Sequence, residues 1–384
     1  MKIIIIGSAA AGINAAKAAR KTNEQCEITV VTKDTETPYY RPYLTEYIGD
    51  KDIENKSNFY LNPKDWYSEN NITLKLGTEI KTIDRKHKKI IDISGTGYEY
   101  DKLILTTGAN PFVPIKNALE KNFVFTVRSL EDAKIVEQFS SGIKKAAVIG
   151  GGLLGLEAAW ALSQQGLEVT VIELEDRLLP IQLDEEGSSF LLNVMTLKGI
   201  KTVTSAITES IEKNGIIKLK DKRELQTDMV LVSIGVRADI TLAKEAGLET
   251  DRGIVVNEKM KTTDPDIYAG GDAAQFGHLV PMWIPAVKQG TVAGTNAAGG
   301  NAVFKDESLP AVLNAFGIRF ISVGTISGKD VYTYSKNDEK SYRKLFFKNG
   351  KTIGGILIND PAKTMKILDA VKKGEKEQAA RDIF

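Results

Sequence analysis

The sequence predicts an α/β fold in which one strand–turn–helix–strand unit occurs twice. The segments KIIII, GSAAAG, INAAKAARK and EITVV open the chain, and KAAVI, GGGLLG, LEAAWALSQQ and LEVTVIE follow in the same order about 143 positions later. Each copy then continues through a hairpin-like region into an apolar strand that ends in glycine, LILTTG in the first copy and VLVSIG in the second. An internal repeat of a whole unit is stronger evidence for this α/β fold than either glycine-rich turn alone.

The first strand of the chain indicates how the sheets are built. Four consecutive isoleucines, Ile3 to Ile6, show no polar alternation. Such a run is typical of a strand that is buried on both faces of a parallel sheet.

The glycine-rich turn of each unit predicts a dinucleotide-binding site. The first glycine allows a tight turn out of the strand, the second lets the backbone approach a pyrophosphate, and the third lets the helix pack on the strand. The second unit has all three glycines: Gly150, Gly152 and Gly155. Gly7 and Gly12 match in the first unit, but Ala9 takes the middle position, where its methyl group slightly restricts the approach of a phosphate. Both units are therefore predicted to be Rossmann-like dinucleotide-binding domains.

The residue about twenty positions after the glycines distinguishes the two units. Glu173 ends the strand VTVIE, where its carboxylate would accept hydrogen bonds from both ribose hydroxyls of an adenosine. A 2′-phosphate would bring negative charge against this carboxylate, so the sequence predicts that NADH is preferred over NADPH. Arg177 could reach such a phosphate, or it could pair with Glu173 or Asp176. The corresponding position in the first unit is Thr32, which predicts a ribose clamp that is weaker or built from neighbouring residues.

A third element is the segment TTDPDIYAGGDAAQF, residues 262–276. Its apolar strand ends in two glycines, and the small residues after Asp272 predict the start of a helix. Asp272 could cap that helix, or its carboxylate could accept a hydrogen bond from a hydroxyl of a polyol ligand.

Composition and charge exclude several classes of protein. The chain of 384 residues is long enough for two to three domains, and its formal net charge of +1 does not suit a nucleic-acid binder. The only cysteine, Cys26, excludes an intrachain disulfide, a CxxC redox pair and a cysteine-rich metal site in the monomer, and no metal site is predicted. The N-terminal apolar run is too short for a secretory signal or a membrane span. We expect a cytoplasmic protein that binds neither nucleic acid nor membranes.

A cluster of lysines stands near the C-terminus. Glutamates are interleaved with these lysines, so the sequence predicts a solvated helix face there. The cluster comprises Lys372, Lys373 and Lys376.

The two glycine units and the Gly-Asp motif, in this order, resemble the two-dinucleotide-domain flavoprotein reductases, the pyridine nucleotide-disulfide oxidoreductase superfamily, over essentially the whole chain. The resemblance implies a glutathione reductase-like FAD/NAD(P) fold with an FAD-binding domain of residues 1–110 and 238–300 and an inserted NADH-binding domain of residues 111–237. The segments FGIRFISVG and YRKLFFKNGKTIGGILIND resemble the family's C-terminal domain, so residues 301–384 are expected to form an α+β interface domain. In many relatives this domain forms a dimer or partner interface, and the chain is expected to be a monomer or a homodimer.

The same resemblance implies which residues bind the two cofactors. FAD is expected to contact the first glycine turn and the loops around it, at Gly7, Ala9, Ala10, Ala11, Gly12, Thr32, Lys33, Arg41, Pro42, Ile80, Thr107, Gly108, Ala109, Arg128 and Asp272. NADH, the electron donor, is expected to contact the second glycine turn and the strand ends beside it, at Gly150, Gly152, Leu154, Gly155, Glu157, Glu173 and Gly235.

The segment PYYRPYLTEY, residues 38–47, lies where disulfide-type and persulfide-type relatives carry the cysteine that receives electrons from the flavin. The segment has no cysteine, and Cys26 lies upstream of the preceding strand. Its pattern RPYLT resembles instead the rubredoxin and ferredoxin reductases, in which arginine and proline pack against the flavin diphosphate and ring. The planar fork of Arg41 can bind phosphate oxygens bidentately, and Pro42 stiffens the loop. The alternative for Arg41 is a solvent-facing loop charge.

Further residues of interest surround this segment. Trp283 matches a tryptophan that ferredoxin reductases hold near the flavin ring, and the alternative is a simple core position. Glu157 is expected near the nicotinamide. Glu46 stands where oxygenase-type ferredoxin reductases often have a lysine. This difference favours a relative outside the oxygenase-type reductases. Tyr39, Tyr40 and Tyr43 have two alternative roles, ordinary packing or a part in electron transfer.

The resemblance implies an NADH-dependent flavoprotein reductase that passes electrons from NADH through FAD to rubredoxin, a small iron protein. Hydride transfer to a flavin needs no side chain as acid or nucleophile, so no catalytic residue is predicted. The rival interpretations are a ferredoxin reductase, the flavoprotein part of a nitrite reductase and an NADH oxidase. A non-catalytic flavoprotein that senses NADH is the rival from a different class.

Overall fold

The computed structural model describes residues 1–307 and 309–383, and its N-terminal part contains two parallel sheets of five strands each. The first sheet has the strand order Ile267–Ala269, Lys102–Leu105, Lys2–Ile6, Glu27–Val31 and Ile72–Lys75. The second has the order Lys201–Val203, Glu168–Ile172, Lys145–Ile149, Met229–Val232 and Val124–Phe125. The strand that precedes the glycine turn is central in both sheets, so the predicted α/β repeat is confirmed.

Helices and small antiparallel sheets complete the two units. The first unit contains the helices Ala10–Thr22, Leu44–Gly49, Trp66–Glu69, Thr241–Glu245 and Trp283–Ala297 and the antiparallel strands Ile80–Asp84, Lys89–Asp92 and Gly97–Glu99. The second contains the helices Leu130–Ser140, Leu153–Gln164 and Glu185–Leu197 and the antiparallel strands Thr208–Ile211, Ile216–Leu219 and Glu224–Gln226. The first two strands of each antiparallel sheet lie in the segments that were predicted to be hairpin-like, and a third strand follows each pair.

The two units are joined where the chain passes from one to the other and returns. Strand Ala109–Pro111 pairs antiparallel with Val236–Ala238 at this crossing. The side-chain amide of Gln165 also donates to the carbonyl oxygen of Ile48, which lies in the short helix Leu44–Gly49. These contacts hold the second glycine helix, Leu153–Gln164, against the first unit.

The C-terminal domain is an antiparallel sheet with two helices. Its strand order is Ala311–Ala315, Ile318–Gly324, Lys351–Ile358, Tyr342–Lys348 and Tyr332–Ser335, and the helices are Thr364–Lys373 and Glu377–Arg381. The hydroxyl of Tyr342 donates to Asp184 Oδ1 over 2.8 Å, and Lys344 Nζ lies 2.6 Å from Asp184 Oδ2. Because Asp184 caps the helix Glu185–Leu197, these bonds fix the domain to the second unit.

The helix predicted to begin directly after Asp272 is a wrong prediction. Residues Gly271–Ala273 form a single 3₁₀ turn, and Ala274–Gln275 is a short strand. This strand pairs parallel with Ile254–Val255, so pairing with a neighbouring segment overrides the helical preference of the small residues. The helix begins later, at Trp283.

Within the described residues, 1–307 and 309–383, no helix is long and apolar enough to cross a membrane.

Close contact between two helices supports the first sheet. A Cβ atom on Gly290 would overlap the carbonyl oxygen of Ala11, and a Cβ atom on Gly294 would overlap that of Ala15. The missing side chains therefore let helix Trp283–Ala297 lie against helix Ala10–Thr22, and Ala15 is fully buried in the core of the first unit.

We expect Gly294→Ala to lower the free energy of unfolding by about 1–3 kcal/mol, because the added methyl group must push the two helices apart. The matched control is Gly142→Ala, since a Cβ atom on Gly142 would meet nothing within 4 Å. Urea denaturation of both variants measures the difference. Equal stability of the two variants would contradict the close packing described for the helix pair.

Candidate active site

The glycine turns of the two units share one geometry. Gly7 and Gly150 have φ angles of +106° and +117°, which side chains rarely adopt. A Cβ atom on Gly12 would overlap the carbonyl oxygen of Gly7, and one on Gly155 would overlap that of Gly150. Each helix therefore begins directly against the end of the central strand.

The middle position of each turn has the same backbone conformation. Ala9 has φ −80° and ψ −162°, and Gly152 has φ −82° and ψ 177°. Both are extended conformations that alanine adopts without strain. A Cβ atom on Gly152 would meet nothing within 4 Å, so the second turn faces open space at this point.

The first turns of the two glycine helices have free hydrogen-bond donors. No described side chain caps Ala10–Thr22 or Leu153–Gln164, and neither helix has an acidic residue in its first turn. In contrast, Ser129 caps Leu130–Ser140 and Asp184 caps Glu185–Leu197, and both of these helices begin with acidic residues. The uncapped N–H groups and the positive end of the helix dipole suit an anionic group such as a pyrophosphate.

Glu173 is fixed against the second glycine turn. Its side chain is buried, and its two carboxylate oxygens accept hydrogen bonds from the backbone N–H groups of Gly151 and Glu175. Arg177 Nη1 lies 2.9 Å from Asp176 Oδ1, so this arginine pairs with Asp176 and not with Glu173. Thr32 occupies the matching strand end in the first unit, where its hydroxyl accepts from the N–H of Asp34 over 3.2 Å.

Two arginines and two carboxylates meet beside the first glycine turn. Arg41 Nη2 lies 3.0 Å from Asp34 Oδ2, and Arg41 Nη1 donates to the carbonyl oxygen of Arg128 over 3.3 Å. Arg128 Nη2 lies 2.6 Å from Asp272 Oδ2. The Nε atom of Arg128 is buried and has no hydrogen-bond partner in the described part of the chain. The Arg41 side chain is only 23% exposed, so it is not a solvent-facing loop charge.

The remaining predicted residues occupy several environments. Gly108 lies near Arg128, since a Cβ atom on Gly108 would be 3.5 Å from Arg128 Nη2. The Thr107 hydroxyl donates to the carbonyl oxygen of Asp239, which draws it toward the junction of the units. Ala109 and Ile80 are buried, whereas Lys33 and Leu154 are exposed. Pro42 lies in the 3₁₀ turn Arg41–Tyr43. The carbonyl oxygen of Gly235 accepts a hydrogen bond from the N–H of Phe112.

An aromatic cluster joins segment 38–47 to the start of helix Trp283–Ala297. The rings of Tyr40 and Trp283 meet edge to face with their centroids 4.7 Å apart, and Tyr40 meets Tyr43 in the same way at 4.8 Å. Trp283 also packs against the small buried cluster of Ala10, Ala11 and Ala286, so it is in contact with the first glycine helix.

The other members of the segment have structural contacts of their own. The Tyr39 hydroxyl accepts a 2.8 Å hydrogen bond from the N–H of Leu130, and the Tyr43 hydroxyl accepts one from Asn58. Glu46 is exposed, and its carboxylate lies 3.7 Å from Lys56 Nζ.

Glu157 is a largely buried carboxyl group between the two units. The hydroxyl of Thr45, in helix Leu44–Gly49, donates to Glu157 Oε2 over 3.0 Å. Burial raises the pKa of Glu157 to about 7, and the nearby charge of Glu46 adds to this rise, while the Thr45 hydrogen bond opposes it. No lysine, arginine or histidine among the described residues forms an ion pair with Glu157. The side chain is therefore poised between its neutral and charged forms near neutral pH.

The sequence interpretation missed several residues of this site. Gln289 is buried, and its Oε1 atom accepts a hydrogen bond from the N–H of Gly271, which fixes the turn that carries Asp272. Asp34 and Thr45 were not recognised as the partners of Arg41 and Glu157. No local pattern signals the roles of Gln289 and Thr45, whereas the position of an acidic residue just after the second strand is a signal for Asp34.

No metal cluster and no accessible thiol accompany these groups. Across residues 1–307 and 309–383, no group of three or more His, Cys, Asp or Glu side chains could hold a metal ion. Cys26 is 4% exposed and packs in the core of the first unit.

Fold and site together define the class of this protein. A family model described as pyridine nucleotide-disulphide oxidoreductase matches residues 1–290, and one described as the rubredoxin NAD+ reductase C-terminal domain matches residues 310–375. The chain therefore belongs to the pyridine nucleotide-disulphide oxidoreductase family, as the sequence predicted. The family description implies an oxidoreductase that uses FAD together with a pyridine nucleotide.

Individual relatives cover nearly the whole chain. It is 34% identical to a protein named NADH oxidase from Methanocaldococcus jannaschii, over 93% of this chain and 87% of that one. It is 32% identical to the NADH-rubredoxin oxidoreductase of Clostridium acetobutylicum, over 96% of this chain and 94% of that one. A solved structure of a NAD-dependent persulfide reductase from A. fulgidus superposes with a TM-score of 0.90 at 30% identity, covering 99% of this chain and 78% of that one.

Other relatives are longer. The assimilatory nitrate reductase electron transfer subunit of Bacillus subtilis is 32% identical over 97% of this chain, but the chain spans only 49% of its length.

We expect Glu157→Gln to change how stability depends on pH. Because the folded pKa of Glu157 is raised, the neutral carboxyl contributes stability that is fully present below about pH 4.5 and is lost as pH rises to about 7. The glutamine variant should not show this loss, so its advantage over the unmodified chain should grow by ~2–3 kcal/mol between these pH values. Denaturant unfolding of both proteins from pH 4.5 to 8 measures it, and parallel pH profiles would contradict the raised pKa.

Proposed function

We propose that this chain is an NADH:rubredoxin oxidoreductase that binds FAD in its first unit and NADH in its second. The observation that carries the proposal is the composition of segment 38–47. This segment brings Arg41 and a cluster of aromatic rings to the first glycine turn, and it has no cysteine. Cys26 is buried in the core, so electrons have no thiol to pass through on their way out. The C-terminal family match and the 32% identity to an NADH-rubredoxin oxidoreductase support the choice of acceptor.

The residues of the first unit fit FAD. The uncapped start of helix Ala10–Thr22 offers backbone donors to a diphosphate, and the guanidinium group of Arg41 adds positive charge beside it. The unpartnered Nε atom of Arg128 is a further buried donor, and the Asp272 carboxylate can accept hydrogen bonds from ribityl hydroxyls. In this proposal residues 1–110 and 238–300 form the FAD-binding domain.

The residues of the second unit fit NADH. The uncapped helix after Gly152 would hold the pyrophosphate, and the carboxylate of Glu173 would accept hydrogen bonds from the adenosine ribose. This carboxylate is buried and would repel a 2′-phosphate, which favours NADH over NADPH. In this proposal residues 111–237 form the NADH-binding domain, and residues 301–384 serve as the interface domain.

The chain itself would bind and orient the reactants. Bound FAD would supply a group that accepts a hydride and releases electrons one at a time. The hydrogen bond between Thr45 and Glu157 links the helix of the second glycine turn to segment 38–47. It would therefore hold the nicotinamide end of NADH in a fixed position relative to the first unit. The overall reaction balances when one NADH and two oxidised rubredoxins give NAD+, one proton and two reduced rubredoxins.

An NADH oxidase is the second candidate function. The 34% identity to a protein of that name, over 93% of this chain, favours it specifically. The two candidates use the same cofactor sites and differ only in the electron acceptor, which is rubredoxin in one and oxygen in the other.

Steady-state turnover separates these candidates. We expect the FAD-loaded protein to oxidise NADH faster than NADPH, and to reduce rubredoxin faster than a plant-type ferredoxin or oxygen. Initial rates with each donor and acceptor, measured under nitrogen and in air, provide the comparison. Rapid NADH consumption in air without a carrier would favour the oxidase, and negligible turnover with every acceptor would favour a sensing flavoprotein.

A further inference from the structure

Three exposed lysines lie side by side on the C-terminal sheet. Lys348 and Lys351 are directly opposite each other in neighbouring strands, and Lys376 forms a β-bridge with Lys351 from the other side. Directly opposite residues point their side chains to the same face of a sheet, so the three lysines form one row. In the described part of the chain none of them forms an ion pair. Lys376 does not lie on the helix face that the sequence predicted for it, because helix Thr364–Lys373 ends before it.

The backbone brings Lys351 and Lys376 especially close together. Two hydrogen bonds, of 2.8 Å and 3.1 Å, join residues 350–352 to residues 375–377 and flank the lysine pair on either side. The lysines are therefore a non-hydrogen-bonded pair, the type in which facing side chains are closer. Cβ atoms in facing pairs are about 4.5–5.5 Å apart, and like charges at this distance destabilise a sheet. The pair thus has an electrostatic cost that a bound anion would remove.

A cleft of about 600 Å³ opens beside the lysine pair. Lys351 and Lys376 line it together with Arg381, and Glu377 contributes a carboxylate. Among the described residues, none of the side chains that line the cleft is apolar, so it suits a charged ligand better than a quinone or another apolar molecule. Its other lining residues are Asn349, Gly350 and Gln378.

Glu377 does not neutralise the two lysines, because its carboxylate is engaged elsewhere. One of its oxygens forms an ion pair with Arg381 Nη2, and the other accepts a 2.8 Å hydrogen bond from the hydroxyl of Tyr332. The guanidinium group of Arg381 also lies 4.8 Å from the centre of the Tyr334 ring, which holds the arginine at the edge of the cleft. The positive charge of the lysine pair therefore remains available to a ligand.

We infer that this cleft of the C-terminal domain binds a small anion with a phosphate group, and that Lys351 and Lys376 are its principal ligands. Two ammonium groups on one side of a cleft suit a multiply charged anion, and the guanidinium group of Arg381 adds donors that match phosphate oxygens. Inorganic pyrophosphate and the diphosphate of a nucleotide share this chemistry. The inference goes beyond the proposed function and does not depend on the electron acceptor, because no residue of the cleft belongs to a glycine turn.

Calorimetric titration of the full-length protein with inorganic pyrophosphate tests the site, at low ionic strength and with excess FAD and NAD+ to occupy the glycine turns. The double variant Lys351→Gln/Lys376→Gln should bind pyrophosphate at least about tenfold more weakly, because it loses both ammonium groups. The matched control is Lys21→Gln/Lys220→Gln, which removes the same charge at exposed lysines of the two dinucleotide units. This control should change the dissociation constant by no more than about twofold.

A parallel titration with ADP identifies the source of the phosphate group. Tighter binding of ADP than of pyrophosphate, lost in the Lys351/Lys376 variant, would assign the site to a nucleotide. Equal or weaker binding of ADP would assign it to inorganic phosphates.

Two results would overturn the inference. One is equal pyrophosphate binding by the unmodified protein and the Lys351/Lys376 variant. The other is an equal loss of binding in the Lys21/Lys220 control, which would show attraction by net charge alone. Urea unfolding separates lost binding from lost folding: Lys351→Gln removes the like-charge contact, so without added anion it should unfold at a urea concentration no lower than that of the unmodified protein. A lower concentration would contradict the repulsion on which the site depends.

Discussion

The contact between two glycines in each glycine turn is the constraint on which the rest of the structure depends. Gly12 lies against the carbonyl oxygen of Gly7, and Gly155 against that of Gly150, at distances that admit no side chain. Each contact places an uncapped helix at the end of a central parallel strand, where its N–H groups and dipole face outward. Without this approach the helix would move away from the strand end, and the position that suits an anion would be lost in both units.

The second level of organisation is the junction between the units, where charges and hydrogen bonds cross from one to the other. Arg128, from the second unit, pairs with Asp272 in the first, and its carbonyl oxygen accepts a hydrogen bond from Arg41. Thr45 and Glu157 form a second link between the units. The two units are therefore coupled through side chains from both, and the distance between their glycine turns is set by packing rather than by a flexible linker.

Local features of the sequence were enough to predict the repeat, the glycine turns and the fold class. Apolar runs and glycine spacing act within one unit, so they can be read from a short segment. The Thr45–Glu157 and Arg128–Asp272 contacts join residues 112 and 144 positions apart, and no local pattern specifies such pairs. The helix expected after Asp272 was wrong for the same reason, because a strand at Ile254–Val255 pairs with that segment. Thr45 could not be distinguished from an ordinary loop residue until the second glycine helix was in place.

In the proposed function electrons leave from the flavin itself, because the segment proposed to lie beside it, residues 38–47, has no thiol. An anaerobic titration of the FAD-loaded protein with dithionite, followed by the flavin absorbance and by the reductant consumed, tests it directly. A flavin accepts two electrons and a flavin paired with a disulfide or other redox-active sulfur accepts more. The account predicts complete reduction at two electrons per bound FAD. Consumption of clearly more than two electrons per FAD would reveal a second redox centre and contradict the account.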